Sequence, residues 1–177
     1  METTQKMTIQ DLLKSKESTY ENWTEEVALR AVRRNSHNLQ YVKTQTKEVC
    51  LEAVKKDGFA LQFIRNQTKE ICIAAVRNNG FALQYVRDQT NKICMEAVRN
   101  DAFALKFAID QTEEICLEAV RNNGLALRFV GNQTEEICLE AVRNDAFALM
   151  YVRDQTNKIC LEAVKKDGFA LQFIRNQ

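Results

Sequence analysis

A chain of 177 residues with 45% apolar residues can bury a sizeable core. Its 25 basic and 24 acidic residues leave a net charge of +1, which gives no overall attraction to nucleic acid or to anionic membranes. The sequence has no run of about 18 apolar residues and no secretory signal pattern at its amino end. We therefore expect a soluble, intracellular protein of the cytoplasm that makes no contact with a membrane.

Residues 1–23 do not resemble the rest of the chain. Thr8 can cap a short helix over apolar residues such as Ile9 and Leu12. Tyr20 and Trp23 can then pack on the segment that follows. We predict that residues 1–23 form an amino-terminal helical cap that shields the open end of the next domain, and a ligand-binding segment is the alternative.

From residue 24 to residue 177 the sequence consists of seven copies of one 22-residue unit. Every copy begins with threonine and ends with glutamine, and no insertion separates the copies. They begin at Thr24, Thr46, Thr68, Thr90, Thr112, Thr134 and Thr156. A fixed period of this length is typical of a stacked array, in which one unit cannot bury its apolar face without its neighbours. The period predicts one elongated domain over residues 24–177.

The unit at residues 134–155 shows how each copy is expected to fold. Thr134 is a good helix N-cap, and two glutamates follow it in the first turn. The apolar residues after them cover an arc of roughly 200° at 100° per residue, so this helix must pack on several sides. Asn144 and Asp145 end the helix, and Asp145 can cap a second helix with the same apolar pattern. Two helices of about 9 residues make one hairpin. We predict an all-α fold, an αα-hairpin solenoid of seven 22-residue repeats behind the helical cap.

Six cysteines occupy the same place in six successive units: Cys50, Cys72, Cys94, Cys116, Cys138 and Cys160. Helices stacked roughly 8–10 Å apart hold neighbouring cysteines beyond the 7 Å or so that a disulfide allows, and too far apart to share a zinc ion. We interpret them as reduced thiols of the core. His37 is the single histidine, so the sequence does not support a Cys–His nucleophile. We expect no catalytic residue, no metal site and no cofactor.

The threonine and glutamine at each unit junction are expected to cap helices and to form hydrogen bonds between units. Contact between an exposed ladder of these glutamines and a ligand is the alternative.

Each helix of the hairpin leaves one narrow polar strip on the surface. On the first helix, acidic and basic residues alternate within i,i+3 and i,i+4 reach, so this first-helix strip can neutralise itself. On the second helix each unit contributes three residues to the strip, of which one is a base and none is an acid. The base is usually the last of the three. It is the middle one in the two units whose last strip residue is Ile109 or Gly131. Asp88, Asp110 and Asp154 lie at the edge of this second strip, so a recognition surface and a solvated or ion-paired face both remain open. We call the second set the basic strip, which consists of Lys43, Gln62, Arg65, Gln84, Arg87, Lys106, Arg128, Arg153, Gln172 and Arg175.

One motif of the units suggests a family. The sequence LEAV, followed by G/A-F-A-L-x-F/Y-V, resembles the helical repeat of unknown function that is abundant in giant DNA viruses, amoebae and other protists. The resemblance covers residues 24–177. It implies an αα-solenoid and a viral or protist source, with the host cytoplasm as the location if the source is viral, and it brings no catalytic residues. The matching residues in one unit are Leu117, Glu118, Ala119 and Val120 with Gly124, Ala126, Leu127, Phe129 and Val130.

The function that these features favour is a non-catalytic repeat scaffold that presents the basic strip to an acidic peptide or protein. Single-stranded RNA is the alternative partner, because helical repeats can bind one base per unit. Against RNA, the rings of Phe63, Tyr85 and Phe129 are expected inside the apolar arc, where they are not exposed for stacking on bases. The apolar residues Phe169 and Leu171 of the last unit suggest end-to-end self-association, and a frayed last unit is the alternative.

Overall fold

The computed structural model of this chain describes residues 23–175. The predicted cap therefore lies outside the described residues except for Trp23, as does the last glutamine, Gln177. Trp23 is partly buried and packs against the core, as expected.

Each unit contains one ten-residue α-helix followed by one six-residue 3-10 helix, and residues 23–175 contain no strand. The α-helices are α1 Glu25–Arg34, α2 Lys47–Lys56, α3 Lys69–Asn78, α4 Asn91–Asn100, α5 Glu113–Asn122, α6 Glu135–Asn144 and α7 Asn157–Lys166. The 3-10 helices are η1 Ser36–Tyr41, η2 Gly58–Phe63, η3 Gly80–Tyr85, η4 Ala102–Phe107, η5 Gly124–Phe129, η6 Ala146–Tyr151 and η7 Gly168–Phe173. This arrangement confirms the predicted all-helical repeat solenoid.

The helices begin and end where the capping residues predict. The side-chain oxygen of Thr46 accepts a hydrogen bond from the backbone N–H of Val49, and the equivalent threonine does so in all seven units. Asp57 is extended (φ −153°, ψ 113°), so it ends α2. Its carboxylate accepts from the N–H of Phe59 at 2.9 Å and thereby caps η2. A single Asp or Asn thus ends one helix and starts the next.

The second helix of each unit differs from the expectation in type and length. We expected an α-helix of about nine residues, whereas the structure has a tighter 3-10 helix of six. In η2 the N–H groups bond three residues back, as from Ala60 to the Asp57 carbonyl and from Ile64 to the Leu61 carbonyl. The side-chain amides of Gln45 and Gln67 donate to the carbonyls of Phe63 and Leu61 at the end of η2. These amides replace the backbone N–H donors that a further helical turn would have supplied.

The stack buries one row of side chains for each apolar position of the unit. Every α-helix packs on the next α-helix, and every 3-10 helix packs on the next 3-10 helix. Leu61 and Ile64 of one unit are completely buried, as are Ala75 and Val76 of the following unit. The largest fully buried side chains form two rows, Leu39, Leu61, Leu83, Leu105, Leu127 and Leu149 on the 3-10 helices and Ile71, Ile93, Ile115, Ile137 and Ile159 on the α-helices.

The junction glutamines connect neighbouring units, as predicted. Nε2 of Gln67 donates to the carbonyl of Leu61 in its own unit at 3.4 Å and to the carbonyl of Tyr85 in the next unit at 2.9 Å. Its Oε1 accepts from the backbone N–H of Arg87 at 3.0 Å. The glutamines at 45, 89, 111, 133 and 155 form the same three bonds. Each junction therefore contains one amide that is satisfied on both sides.

Candidate interaction surface

The first-helix strip is neutralised, but mostly between units instead of within one helix. Arg77 reaches Glu96 of the next unit with both Nε and Nη2, at 2.8 and 2.9 Å. The same spacing joins Arg33 to Glu52, Arg99 to Glu118, Arg121 to Glu140 and Arg143 to Glu162. These hydrogen bonds change the ionisation of the partners: the bond from Arg77 lowers the pKa of Glu96, and the same bond raises the pKa of Arg77. The predicted self-neutralisation is thus achieved by stacking the units.

The basic strip lies on the side of the 3-10 helices, and all seven of its bases are exposed. Among the described residues, the arginines at the last place of the strip form no ion pair with a carboxylate. Arg87 donates from Nη1 to the carbonyl of Arg65 at 2.7 Å and from Nη2 to the carbonyl of Ile64 at 3.1 Å. Arg65, Arg153 and Arg175 likewise bond to carbonyls of the unit before them. Neutral oxygens therefore hold these guanidinium groups in place and leave their charge uncompensated.

The two bases at the middle place of the strip lie over aromatic rings. Nζ of Lys106 is 4.9 Å from the ring centre of Phe81 and 4.7 Å from that of Phe107. The guanidinium carbon of Arg128 lies 5.0 Å from the ring centre of Phe129 and 5.5 Å from that of Tyr151. Both cations thus bridge two successive units by cation–π contacts. These rings again hold a cation without cancelling its charge.

The acidic residues at the edge of the strip do not neutralise it. Within residues 23–175, none of the five arginines of the strip forms an ion pair with a carboxylate, and neither does Lys106. Asp88, Asp110 and Asp154 are exposed beside them. A depression of about 470 Å³ opens between Arg153 and Arg175, with Asp154 in its lining. The sequence left a solvated face or an ion-paired face as the alternatives to a recognition surface. The ion-paired face is wrong for these six bases.

The glutamines of the strip are also exposed. The amides of Gln62 and Gln84 turn back onto their own 3-10 helices, where Nε2 donates to the carbonyls of Phe59 at 3.1 Å and Phe81 at 3.0 Å. The structure places Gln172 on the same side of the last unit. The arginines at the last place of the strip are therefore held by bonds that pass from unit to unit, whereas Gln62 and Gln84 are held within their own units.

A row of aromatic rings beside the strip was missed by the sequence reasoning. Phe63, Tyr85 and Phe129 are half-buried, so the expectation that the apolar arc hides them from the surface is wrong. The ring of Phe59 meets that of Tyr85 edge to face at 5.9 Å, and the same contact recurs along the stack. The two residues of each such pair are 26 positions apart, one unit plus four residues, and this spacing is the sequence signal that could have revealed the row.

The cysteines are free thiols, as predicted. Five are buried, and Cys160 of the last unit is half-buried. Burial raises the pKa of Cys138 to about 11 and also raises the pKa of Cys50, Cys72, Cys94 and Cys116. The thiols of Cys72, Cys94 and Cys138 point to the junction glutamines, with Sγ to Oε1 distances of 3.6–3.8 Å. These thiols are therefore protonated packing groups at neutral pH.

His37 lies at the end of the stack, away from every thiol contact described above. Its Nδ1 is 3.8 Å from a carboxylate oxygen of Asp57, and its ring meets Phe63 edge to face at 5.4 Å. In the described part of the chain no three Cys, His, Asp or Glu side chains cluster as metal ligands would. The helices of this part are all too short or too polar to cross a bilayer.

The fold and this repeated surface define a helical repeat protein in which the same glutamine joint connects each described unit to the next. The family model described as a domain of unknown function, DUF4116, matches the chain six times, and each match spans about two units. The matched segments are 24–67, 46–91, 68–112, 92–134, 112–156 and 134–177. The chain therefore belongs to the DUF4116 family. No curated protein and no solved structure matches it.

Proposed function

We propose that this chain is a non-catalytic repeat scaffold that binds an acidic segment of a partner protein along the basic strip. The observation that carries the proposal is the contrast between the two strips. Five arginines of the first-helix strip pair with glutamates of the next unit, whereas the arginines of the basic strip bind neutral carbonyls or rings. The basic strip therefore presents a net positive row along the stack to an acidic ligand.

The way in which these cations are held supports binding. A free arginine loses about 0.5–1.5 kcal/mol of side-chain entropy when a partner immobilises it. The guanidinium groups of Arg87 and Arg153 already form two bonds each to carbonyls of the preceding unit. Part of this side-chain entropy is therefore already lost in the free protein, before a partner binds. The buried thiols with raised pKa support a scaffold and not an enzyme, because the nucleophilic thiolate form is scarce.

The proposal can be tested with a fluorescein-labelled oligoglutamate peptide and fluorescence anisotropy. The binding variant replaces Arg65, Arg87 and Arg153 with Gln, and the matched control replaces Arg33, Arg99 and Arg121 of the first-helix strip with Gln. Each exposed charge contact contributes about 0.5 kcal/mol, so the binding variant should lose roughly tenfold in affinity while the control stays close to the native chain. Affinity should also fall with salt. Equal losses in both triple variants, or no binding by the native chain at low salt, would overturn the proposal.

Single-stranded RNA is a second candidate, and the half-buried rings beside the cations favour it. Lys106 and Arg128 lie over half-buried rings, and proteins that bind single-stranded nucleic acids combine cations with aromatic rings on which bases stack. A labelled oligouridylate should then bind more tightly than the oligoglutamate. Replacing Phe81 and Phe129 with Leu should weaken the RNA complex more than the peptide complex. Tighter binding of the peptide would favour the protein partner.

The last described unit supports end-to-end association of the 177-residue chain. Leu161, Phe169 and Leu171 are exposed by 56%, 75% and 61%, which is unusual for large apolar side chains of one small surface. Sedimentation velocity at rising concentration should show an increase in mass, and Leu171→Glu should abolish it. A monomer at all concentrations would contradict this association.

We also propose that the protein acts in the cytoplasm, the host cytoplasm if its source is a giant virus, as the family resemblance implies. A fluorescent fusion that concentrates in another compartment would contradict this location.

A further inference from the structure

The arginine–glutamate ladder of the first-helix strip is interrupted at one junction. At five junctions, a base at the tenth place of one unit meets a glutamate at the seventh place of the next, for example Arg77 and Glu96. At the junction of the units 46–67 and 68–89, the base is Lys55 and the seventh place is Ala74. Lys55 therefore has no carboxylate opposite it.

A second ladder of the same strip is interrupted next to the first. The second place of one unit lies beside the third place of the next, where Lys47 pairs with Glu70 and Glu135 pairs with Lys158 at 3.4 Å. Asn91 and Glu114 form a hydrogen bond of 3.2 Å in the same register. At the intervening junction this register sets Lys69 beside Lys92. Three of the six junctions thus hold complementary groups in this register. Two others hold a pair of glutamates, Glu25 with Glu48 and Glu113 with Glu136, and the Lys69–Lys92 junction alone holds two cations.

Both interruptions open onto one groove of about 480 Å³, which we call the lysine groove. Leu51, Ile73 and Ala74 form its apolar floor, and none of them is fully buried. Its charged lining consists of Lys55, Lys69, Glu70, Arg77 and Lys92.

The charge of the groove is strongly positive once its internal pairs are considered. Glu70 is paired with Lys47, and Arg77 is paired with Glu96. Among the described residues Lys55, Lys69 and Lys92 are exposed and have no carboxylate partner. Because these lysines belong to three successive units, whose helices stack roughly 8–10 Å apart, one small anion cannot contact all of them.

We propose that the lysine groove binds an acidic amphipathic helix of a partner protein. Such a helix places leucine side chains on the Leu51–Ile73–Ala74 floor, and its glutamates reach the three lysines of the rim. The proposal does not depend on the basic strip, because the groove lies on the α-helices and the strip on the 3-10 helices. It combines an apolar floor with complementary charge, the two elements of helix-in-groove recognition.

The test uses two variants that recreate pairs already present in this fold. Ala74→Glu supplies Lys55 with the carboxylate that Arg33 has in Glu52, and Lys69→Glu gives Lys92 the partner that Lys158 has in Glu135. Both variants should keep or raise the Tm, so a loss of binding cannot be attributed to unfolding. Asn132→Asp is the matched control for an added negative charge, because Asn132 is exposed, belongs neither to the groove nor to the basic strip, and takes the place that Asp88, Asp110 and Asp154 hold in other units.

The probe is a fluorescein-labelled helical peptide of repeating Glu-Leu-Leu-Glu blocks, and binding is followed by fluorescence anisotropy. The native chain and the Asn132→Asp variant should bind it with similar affinity, whereas Ala74→Glu and Lys69→Glu should each weaken it at least about tenfold. A Glu-Ala-Ala-Glu peptide should bind more weakly than the leucine peptide because it does not fill the floor.

Three outcomes would overturn the proposal. They are a native chain that does not bind the leucine peptide, an equal loss in the Asn132→Asp control, and equal binding of the alanine peptide. The triple arginine variant of the basic strip should retain the leucine peptide, which distinguishes failure of this site from failure of the proposed function.

Discussion

Two units of this protein share a run of 18 identical residues, 50–67 and 160–177, but their described residues differ in burial. Their described helices have the same types and lengths, with η2 at Gly58–Phe63 and η7 at Gly168–Phe173. Leu61 is nevertheless completely buried in the first unit, whereas Leu171 at the same place of the other is 61% exposed. The difference is the neighbour: α2 and η2 pack against units on both sides, whereas the last unit has a described neighbour on one side.

This comparison separates two kinds of cause. Capping is local, because Asp57 and Asp167 each accept from the N–H group two residues on, and both 3-10 helices begin there. Burial is not local, because the side chains that cover Leu61 belong to the adjoining units. A unit therefore encodes its own secondary structure, while most of its stabilisation comes from its neighbours.

The largest difference is expected from truncating the equivalent leucines. Leu61→Ala should lower the free energy of unfolding by about 2–5 kcal/mol, since it leaves a cavity in a fully buried site. Leu171→Ala should cost less than about 1 kcal/mol, because its side chain is already largely in water. Urea unfolding followed by circular dichroism measures both. Similar losses in the two variants would show that the inner and last units are equally packed.

A smaller difference is expected at the equivalent glycines. A Cβ at Gly58 would lie 2.5 Å from the carbonyl oxygen of Ala75, whereas a Cβ at Gly168 has no atom within 4 Å. Gly58→Ala should therefore destabilise the chain by about 1–3 kcal/mol through overpacking. Gly168→Ala should be neutral or stabilise by up to about 1 kcal/mol, because alanine lowers the entropy of the unfolded chain. Thermal unfolding of the two variants tests this, and a loss at Gly168 as large as that at Gly58 contradicts it.

The smallest effect is expected from the inter-unit ion pairs, which form at inner and last units alike. Hydrogen bonds from Arg121 and then Arg143 lower the pKa of Glu140. A lowered folded-state pKa stabilises the protein above the unfolded-state value of about 4.5 and loses that effect as the pH falls through the folded value. Glu140→Gln should thus cost less than about 1 kcal/mol at pH 7, and the cost should be smaller at pH 3.

Urea unfolding of the native chain and the Glu140→Gln variant at both pH values provides the measurement. Glu162→Gln is the control, since Glu162 pairs with Arg143 and has one arginine fewer than Glu140. A cost that is the same at pH 3 and pH 7 would show that the carboxylate charge does not contribute.

Much of the fold could be predicted because the same types of residue recur at the same places in seven units. The threonine caps, the Asp or Asn between the helices and the buried thiols all follow from residue type and spacing. The type of the second helix did not follow, since Phe59 to Ile64 fits the apolar pattern of either helix. Its shortness depends on amides of Gln45 and Gln67, one of which comes from the preceding unit.

The site could be predicted only in part. The sequence placed the bases on one side of the stack, but it did not show that Arg87 is held by carbonyl oxygens, because those acceptors belong to residues 22 and 23 positions earlier. The exposure of Tyr85 was likewise missed, because a ring on an apolar arc can lie at its rim. Whether the strip binds a partner stays a prediction.

The junction glutamine has a consequence for how the chain can change in length. Because Gln67 bonds to the same three backbone groups that every equivalent glutamine uses, adding or removing a whole 22-residue unit regenerates an identical joint. Inserting one residue between Thr68 and Gln89 would instead shift every donor beyond it out of step with its acceptor. The molecule is therefore expected to tolerate growth in complete modules and to resist any smaller increment.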